Sequence, residues 1–252
     1  MQAEERQFLI EQHLQKVEFA SLEELSEKVD VSVSTVRRDL TLLETKGTIR
    51  RTHGGARLVT PKSDEFAFTA RDTHQLSEKD AIGQAAAELV QPNQGVIVDA
   101  GTTAYHVAKH LGGKASHIIT NSLPVANHFG SDNSVEVLVT GGVIYPRLGV
   151  LVGPLAVESL SKMHADVAIM SGGGITMDGI TNSHALLIDI QRAMLQSAQR
   201  IIFCLDHTKF NRRSVSPLCE LDAIDTIVTD AQAPADLVGQ LKQTNTQVFI
   251  AS

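Results

Sequence analysis

The sequence predicts two folding units in tandem: a small helical unit ending in a basic β-hairpin, then a larger α/β unit on a mostly parallel sheet. Three observations carry this. From Ser32 to Ala56 runs SVSTVRRDLTLLETKGTIRRTHGGA, which reads as a helix, a glycine stop, a basic strand and a Gly-Gly turn. From residue 77 onward, short apolar runs alternate with amphipathic segments, as strands do when helices cover both faces of their sheet. Between the two, Leu58–Leu76 loses its apolar period and holds Pro61, small polar residues and mixed charge. The expected division is therefore 1–57, a linker over 58–76, and 77–252.

In the first unit, Glu4–Leu14 sets Phe8, Leu9 and Leu14 among charges, as a first amphipathic helix would. Ser21-Leu22-Glu23-Glu24 is a capping box, with Leu25 and Val29 continuing the stripe from Leu22. Val29-Asp30-Val31 turns the chain into the next helix, which Ser32 caps. There Val33, Val36, Leu40 and Leu43 form the apolar face, and Ser34, Arg37, Arg38 and Thr41 a polar, cationic one. Gly47 follows Lys46 as a C-cap. Thr48–Thr52 is then a strand carrying Arg50 and Arg51, and His53-Gly54-Gly55 a sharp turn where backbone can approach a phosphate.

This is the outline of a winged helix-turn-helix, which aims the start of its last helix at base edges. Ser32, Ser34, Thr35, Arg37 and Arg38 are the candidate contacts of the helix; Arg50, Arg51, His53, Gly54 and Gly55 are those of the wing. Val31–Arg57 holds six basic residues against two acidic ones, a net +4 within a chain of net charge −7. Whole-chain acidity argues against indiscriminate polyanion binding, and the local patch permits a focused one.

In the second unit the strand candidates are Gly95–Asp99, His117–Thr120, Val135–Val139, Asp166–Met170, Arg200–Leu205, Asp225–Thr229 and Gln247–Ile250. Helix candidates between them lie near Glu78–Val90, Ala104–Leu111, Leu123–Phe129, Leu155–Met163, Leu186–Ala198 and Ala235–Lys242. In such sheets ligands sit at the carboxyl ends of the strands. Those ends read Asp99-Ala100-Gly101-Thr102-Thr103, Thr120-Asn121-Ser122, Thr140-Gly141-Gly142, Ser171-Gly172-Gly173-Gly174 and Asp206-His207-Thr208-Lys209. Any one small-residue loop is weak evidence, since most strand-to-helix loops need small residues. Five on one edge are stronger. The Gly101-Thr102-Thr103 turn opens a helix, where free amides favour a phosphate; Lys209 adds a charge, and Asn121 and Ser122 add hydrogen-bonding groups. The ligand these ends predict is a small, polyhydroxylated, phosphorylated metabolite, because the dinucleotide fingerprint GxGxxG is missing.

No cofactor or metal is expected: Cys204 and Cys219 stand alone, and Cys204-x-x-His207 lacks a second ligand pair. No apolar run reaches membrane-spanning length and no signal-peptide plan is present, so the chain is expected in the cytoplasm.

Taken together, STVRRDLTLLETKGTIRRTHGGA, DAGTT (Asp99–Thr103), TNS (Thr120–Ser122), TGG (Thr140–Gly142) and DHTKF (Asp206–Phe210) resemble the signatures of the DeoR family, in family order and nearly end to end. The resemblance implies a Rossmann-type sensor domain related to ribose-5-phosphate isomerase and glucosamine-6-phosphate isomerase. It implies a repressor of a carbohydrate-catabolism operon, released from operator DNA by a phosphosugar. By it, Arg37 and Arg38 match the paired arginines of the recognition helix, Asp99, Gly101, Thr102 and Thr103 the phosphate loop, and Lys209 the sensor lysine. One position departs: Asp189, within LLIDIQRAM, stands where family members often carry Glu. His184, beside Thr181-Asn182-Ser183, is expected to face solvent.

The competing reading is a sugar-phosphate isomerase with an appended DNA-binding module. It needs a carboxylate base, for which Asp99 is the candidate, and an electrophile such as Lys209. No acidic DGxDE-like run supports it. As a regulator the chain is expected to be a homo-oligomer, dimer or tetramer, because paired half-sites are the usual way one small winged domain gains contact. Phe66–Val90 joins the wing to the first sensor helix and is the expected relay, with Arg71 and Lys79 as candidate pins.

Overall fold

The computed structural model describes residues 3–17, 19–45, 48–52, 54–58 and 67–251. The chain divides into two compact units between Glu65 and Phe66.

The first unit comprises α1 (Ala3–Val17), β1 (Phe19–Ser21), α2 (Leu22–Val29), α3 (Val33–Thr45), β2 (Ile49–Thr52) and β3 (Gly55–Leu58). Its strands pair antiparallel in the order β1-β3-β2. Ser21 caps α2, its Oγ accepting from the Glu24 amide at 3.0 Å. Only half of the predicted capping box forms, because the Glu24 carboxylate pairs with His13 Nε2 at 2.8 Å. Asp30 ends α2 in the left-handed region at φ 49°, a conformation Asp tolerates. Leu14, Leu25, Val36, Leu40, Leu43 and Ile49 form the core. In α1 the buried face is Ile10 and Leu14, four residues apart, whereas Phe8 is exposed. The Gly47 cap and Lys46 lie outside the described residues.

The second unit begins with α4 (Phe68–Thr73) and α5 (Leu76–Glu88). Then follow β4 (Gly95–Val98), α6 (Thr102–Lys109), β5 (His117–Thr120), α7 (Leu123–Phe129), β6 (Glu136–Val139), β7 (Val143–Tyr145), β8 (Val150–Val152) and α8 (Pro154–Ser161). Next come β9 (Ala165–Met170), β10 (Gly174–Thr176), β11 (Gly179–Asn182), α9 (Ala185–Gln196) and β12 (Ala198–Cys204). The unit closes with β13 (Ser216–Cys219), β14 (Thr226–Asp230), α10 (Ala235–Leu241) and β15 (Gln247–Ala251).

Each of the seven predicted strands enters one sheet, ordered β15-β14-β12-β9-β4-β5-β6 and parallel throughout. Their side chains alternate between two cores. Ile97, Ala168, Phe203 and Ile227 face α8, α9 and α10. Val96, Val98, Val167, Ile202 and Val228 face α5, α6 and α7. Burial on both faces explains why these strands read as unbroken apolar runs. Successive connections step outward from β4 through β5 to β6, and from β9 through β12 and β14 to β15. The switch point is thus between β4 and β9, where a doubly wound sheet opens its ligand crevice.

Three features lie outside the predicted pattern: the β7–β8 hairpin, the small antiparallel sheet β10-β11-β13, and α4. The last corrects the linker, because α4 and the start of α5 occupy part of 58–76 and belong to the second unit. Helix α4 buries none of its residues fully, so no apolar period marks it. Phe68 anchors it instead, its amide on the Arg147 carbonyl at 3.1 Å and its ring edge-on to Tyr105 at 5.4 Å. Phe66 lies outside the described residues. Among the described residues no helix is long and apolar enough to cross a membrane, and no metal-holding cluster of His, Cys, Asp or Glu occurs.

Candidate DNA-binding surface and candidate effector rim

On α3, Val36, Leu40 and Leu43 turn inward while Ser34, Arg37, Arg38 and Thr41 stay exposed, as the two-face reading requires. Ser32 caps the helix: its Oγ accepts from the Thr35 amide at 3.3 Å and lies 2.8 Å from the Ser34 hydroxyl and 3.0 Å from that of Thr35. Asp39 is buried on the inner face, where Arg6 reaches it through Nη2 at 3.0 Å. Its charge is therefore matched inside the unit and subtracts little from the cationic surface.

The wing separates its residues. Adjacent strand residues face opposite sides, and Arg50 and Arg51 go different ways. Arg51 turns to α3: its amide donates to Glu44 Oε1 at 3.0 Å and its guanidinium to the Thr41 hydroxyl. Arg50 stands directly across from Arg57 of β3, both exposed. Like charges directly opposite disfavour a free hairpin, so this pair suits a surface that meets a polyanion. The sequence alone does not set Arg57 beside Arg50; the hairpin register does. Gly54 is exposed at the turn with nothing within 4 Å of an added Cβ. Gly55 is a correction: it is buried, and a Cβ there would lie 2.1 Å from the Ala20 carbonyl oxygen, so it serves the close approach of β1 and β3. His53 lies outside the described residues.

In the second unit, the ends of β4 and β9 meet at the switch point. Asp99 is 2% exposed, and its Oδ2 accepts from the Ser171 hydroxyl at 2.6 Å, the Ser171 amide at 3.1 Å and Gln191 Nε2 at 3.0 Å. Gln191 in turn accepts from Asn182 Nδ2 at 2.8 Å, and Asn182 Oδ1 accepts from the His184 amide at 3.2 Å. This buried chain ties β4, β9, β11 and the N-cap of α9. Burial pushes the Asp99 carboxyl above its ordinary value, while Ser171 and Gln191 pull it back. With its Oδ2 loaded by three donors, Asp99 holds the rim together and is poorly placed to act as an isomerase base.

Gly101 caps α6 without a side-chain partner for the first-turn amides. A Cβ on it would fall 1.7 Å from Ser171 Oγ, so glycine is what lets the two loops close on each other. Thr102 and Thr103 follow, each 5% exposed. These are the amides and hydroxyls that can meet an anion outside β4.

Other rim residues divide between fold and surface. The Thr120 hydroxyl donates to the Val98 carbonyl at 2.7 Å and accepts from the Ser122 amide at 3.0 Å, so it serves the fold. Ser122 caps α7 through the Val125 amide at 3.3 Å, and Asn121 Nδ2 holds the Leu151 carbonyl at 3.0 Å. Asn121 Oδ1 is buried with no hydrogen-bond partner. Gly142, at φ +131°, turns the chain into the β7–β8 hairpin, where a Cβ would meet the Val152 carbonyl at 2.7 Å. Gly141 precedes it, exposed, its amide on Ser159 Oγ at 3.4 Å. Both follow β6, the outermost strand on that side.

Lys209 is half-buried at the end of a single 3-10 turn, His207–Lys209. Burial lowers its ammonium below the ordinary lysine value, and Asp206 works against that. His184 corrects the expectation of solvent: it is half-buried, and burial together with Arg71 and Arg147 holds it below its ordinary value. Asp189 is exposed in a groove between α8 and α9, beside Glu158 and Arg192, whereas Gln191 of the same helix reaches the rim. Lys79 is buried, its Nζ donating to the carbonyls of Arg71 and His74.

Comparison with known proteins follows the same division. Residues 6–62 match the DeoR-like helix-turn-helix domain, and residues 74–231 match the DeoR C terminal sensor domain. The chain is 34% identical to the HTH-type transcriptional regulator GolR of Listeria innocua, over 90% of this chain and 91% of that protein. It is also 34% identical to the HTH-type transcriptional repressor GlcR of Bacillus subtilis, over 94% and 93%. Among solved structures it is similar to ribose 5 phosphate isomerase A from Neisseria gonorrhoeae, at 15% identity, 56% and 54% coverage and a TM-score of 0.36. The chain belongs to the DeoR family and is a transcriptional regulator rather than an enzyme.

Proposed function

We propose that the protein represses a carbohydrate-catabolism operon in the cytoplasm and leaves its operator when a phosphorylated sugar binds at the carboxyl rim. The observation that carries the reading is the switch point. There the first turn of α6 opens without a side-chain cap beside a locked Asp99–Ser171–Gln191 network. Phosphate dianions suit such amides, and Lys209 adds the charge. Sugar hydroxyls find donors and acceptors in Thr102, Thr103 and Asn121. Ser32, Ser34, Thr35, Arg37 and Arg38 meet the major groove, and Arg50, Arg57 and Gly54 the flanking backbone. The repressor sign follows the relative GlcR, and a homo-oligomer supplies paired half-sites.

Operator DNA enriched from genomic fragments on the full-length protein, then titrated with phosphosugars and the free sugars, tests the reading. One phosphosugar is expected to release the DNA and its free sugar to fail. Lys209→Ala and Thr102→Val proteins are expected to fold, bind operator and resist release. Tighter DNA binding with the phosphosugar would overturn release by the effector. Normal release of both variants would place the ligand elsewhere.

A further inference from the structure

Arg71, Lys79 and Lys209 lie close enough together at the rim to feel one another's charge. Arg71 lies within α4, and its Nε is buried with no hydrogen-bond partner. A buried charged donor left unpaired is costly, and a protein keeps one where something else completes it. Burial holds the guanidinium below its ordinary value, with Asp99 opposing. The charge of Arg71 is felt in turn by Lys79, Lys209 and His184, after burial has lowered each of them.

The carboxylates that act on this group of cations already hold other partners. Asp99 Oδ2 takes Ser171 and Gln191. Asp206 Oδ1 takes the Thr208 amide at 3.0 Å and its hydroxyl, and Asp72 lies 3.2 Å from His106 Nε2. Helix α4 itself is fastened by few groups. Lys79 Nζ holds the Arg71 and His74 carbonyls, and Phe68 rests on Tyr105.

We propose that Arg71 is a direct ligand of the effector's phosphate monoester and that a bound phosphate thereby fixes α4. The proposal rests on the reading of the rim as an anion site and adds a residue from outside the strand ends. A guanidinium gives a phosphate two parallel N–H donors, where Lys209 gives a point charge. Along the chain, α4 starts just after the divide between the units. An anion held by Arg71 therefore acts on the segment leading back to the DNA-binding unit.

The full-length protein is titrated with inorganic phosphate and methyl phosphate, reading affinity by calorimetry and hydrogen exchange over residues 67–74. The parent is expected to bind methyl phosphate and slow exchange in that segment. Arg71→Met is expected to weaken binding about ten-fold or more and to abolish the protection. Arg71→Lys should recover part of both. The unliganded Arg71→Met protein should melt no lower than the parent, since the substitution removes a buried guanidinium whose Nε has no hydrogen-bond partner. A lower melting temperature would mark Arg71 as structural and overturn the assignment. Binding by Arg71→Met equal to the parent's, with loss in Lys209→Ala, would also overturn it and leave the rim reading intact. If the parent binds neither anion, nor any phosphosugar, both fall together.

Discussion

The carboxylate of Asp99, at the end of β4, accepts from both the amide and the hydroxyl of Ser171, at the end of β9, at 3.1 and 2.6 Å. These strands are neighbours, and the connections leave them in opposite directions. The bond therefore clasps the two halves of the sheet where a ligand crevice opens. Gln191 adds a third donor at 3.0 Å. Ser171→Ala removes one donor from a buried carboxylate and is expected to cost about 1–3 kcal/mol of stability. Gln191→Leu should cost a similar amount, leaving Asn182 without its 2.8 Å partner as well. Denaturant unfolding of the three proteins decides this; unchanged midpoints would mean the clasp is redundant.

The sheet was legible because both faces of its central strands are buried, so those strands appear as apolar runs between helical periods. The boundaries of β5 and α7 coincide with the sequence reading. What escaped has physical reasons. Helix α4 has no buried face to create a period, and its anchors are backbone carbonyls contributed by Arg147 and grasped by Lys79. Gln191 had a signal: it lies three and four residues after Ile188 and Leu187 and three before Met194, all buried. A polar residue on that stripe needs a polar partner inside, and only the fold shows the partner to be Asp99. In the TNS and TGG loops the same small, polar residues also serve turns and caps, so the sequence does not separate a ligand role from a structural one.

Recognition by α3 makes a specific demand. Arg37 and Arg38 are exposed on the face opposite Val36 and Leu40. An arginine that reads a base edge is worth about 1–3 kcal/mol, with relaxed preference at that position when it is removed. Single alanine variants, assayed against operators with each base changed in turn, should show this for at least one of the two. Undiminished affinity in the double variant would refute docking through α3.

The wing predicts a division between neighbours. Arg50 and Arg57 face each other across the hairpin, whereas Arg51 is held by Glu44 and Thr41. Losing one phosphate contact lowers the slope of log affinity against log salt by about one unit. Arg50→Ala and Arg57→Ala should each show that drop. Arg51→Ala should leave the slope nearly unchanged and cost up to about 1 kcal/mol of stability, as an exposed ion pair does. The reverse pattern would put Arg51 on the DNA.

Two adjacent glycines should part in the same way. A Cβ at Gly55 would lie 2.1 Å from the Ala20 carbonyl, so Gly55→Ala must move backbone. The expected cost is about 1–3 kcal/mol, typical of overpacking. Gly54→Ala meets nothing within 4 Å and should leave the thermal transition in place. Any loss of operator affinity in a normally folded Gly54→Ala protein would then report the approach of the turn to DNA. Equal melting of both variants would show that β1 and β3 can separate without penalty.

The buried lysine that holds α4 makes stability depend on pH in a predictable direction. Burial lowers Lys79 from an ordinary value of 10.5 to about 8, with Lys209 and Arg71 assisting and Asp206 and Asp72 opposing. The folded protein thus releases this proton near pH 8, while the unfolded chain keeps it until about pH 10.4. Between those values the unfolded state binds more protons, so the contribution of Lys79 to stability rises with pH. Below pH 8 the folded protein carries the full cost of a buried ammonium, offset by its bonds to the Arg71 and His74 carbonyls. Lys79→Met removes both the proton and the bonds, and serves as the reference for every other group that titrates in this range. The stability difference between parent and variant should grow in the parent's favour by about 1–3 kcal/mol from pH 8 to pH 10. Denaturant midpoints of the two proteins across that range test it. Parallel curves would mean that Lys79 keeps an ordinary proton affinity and that water reaches it behind α4.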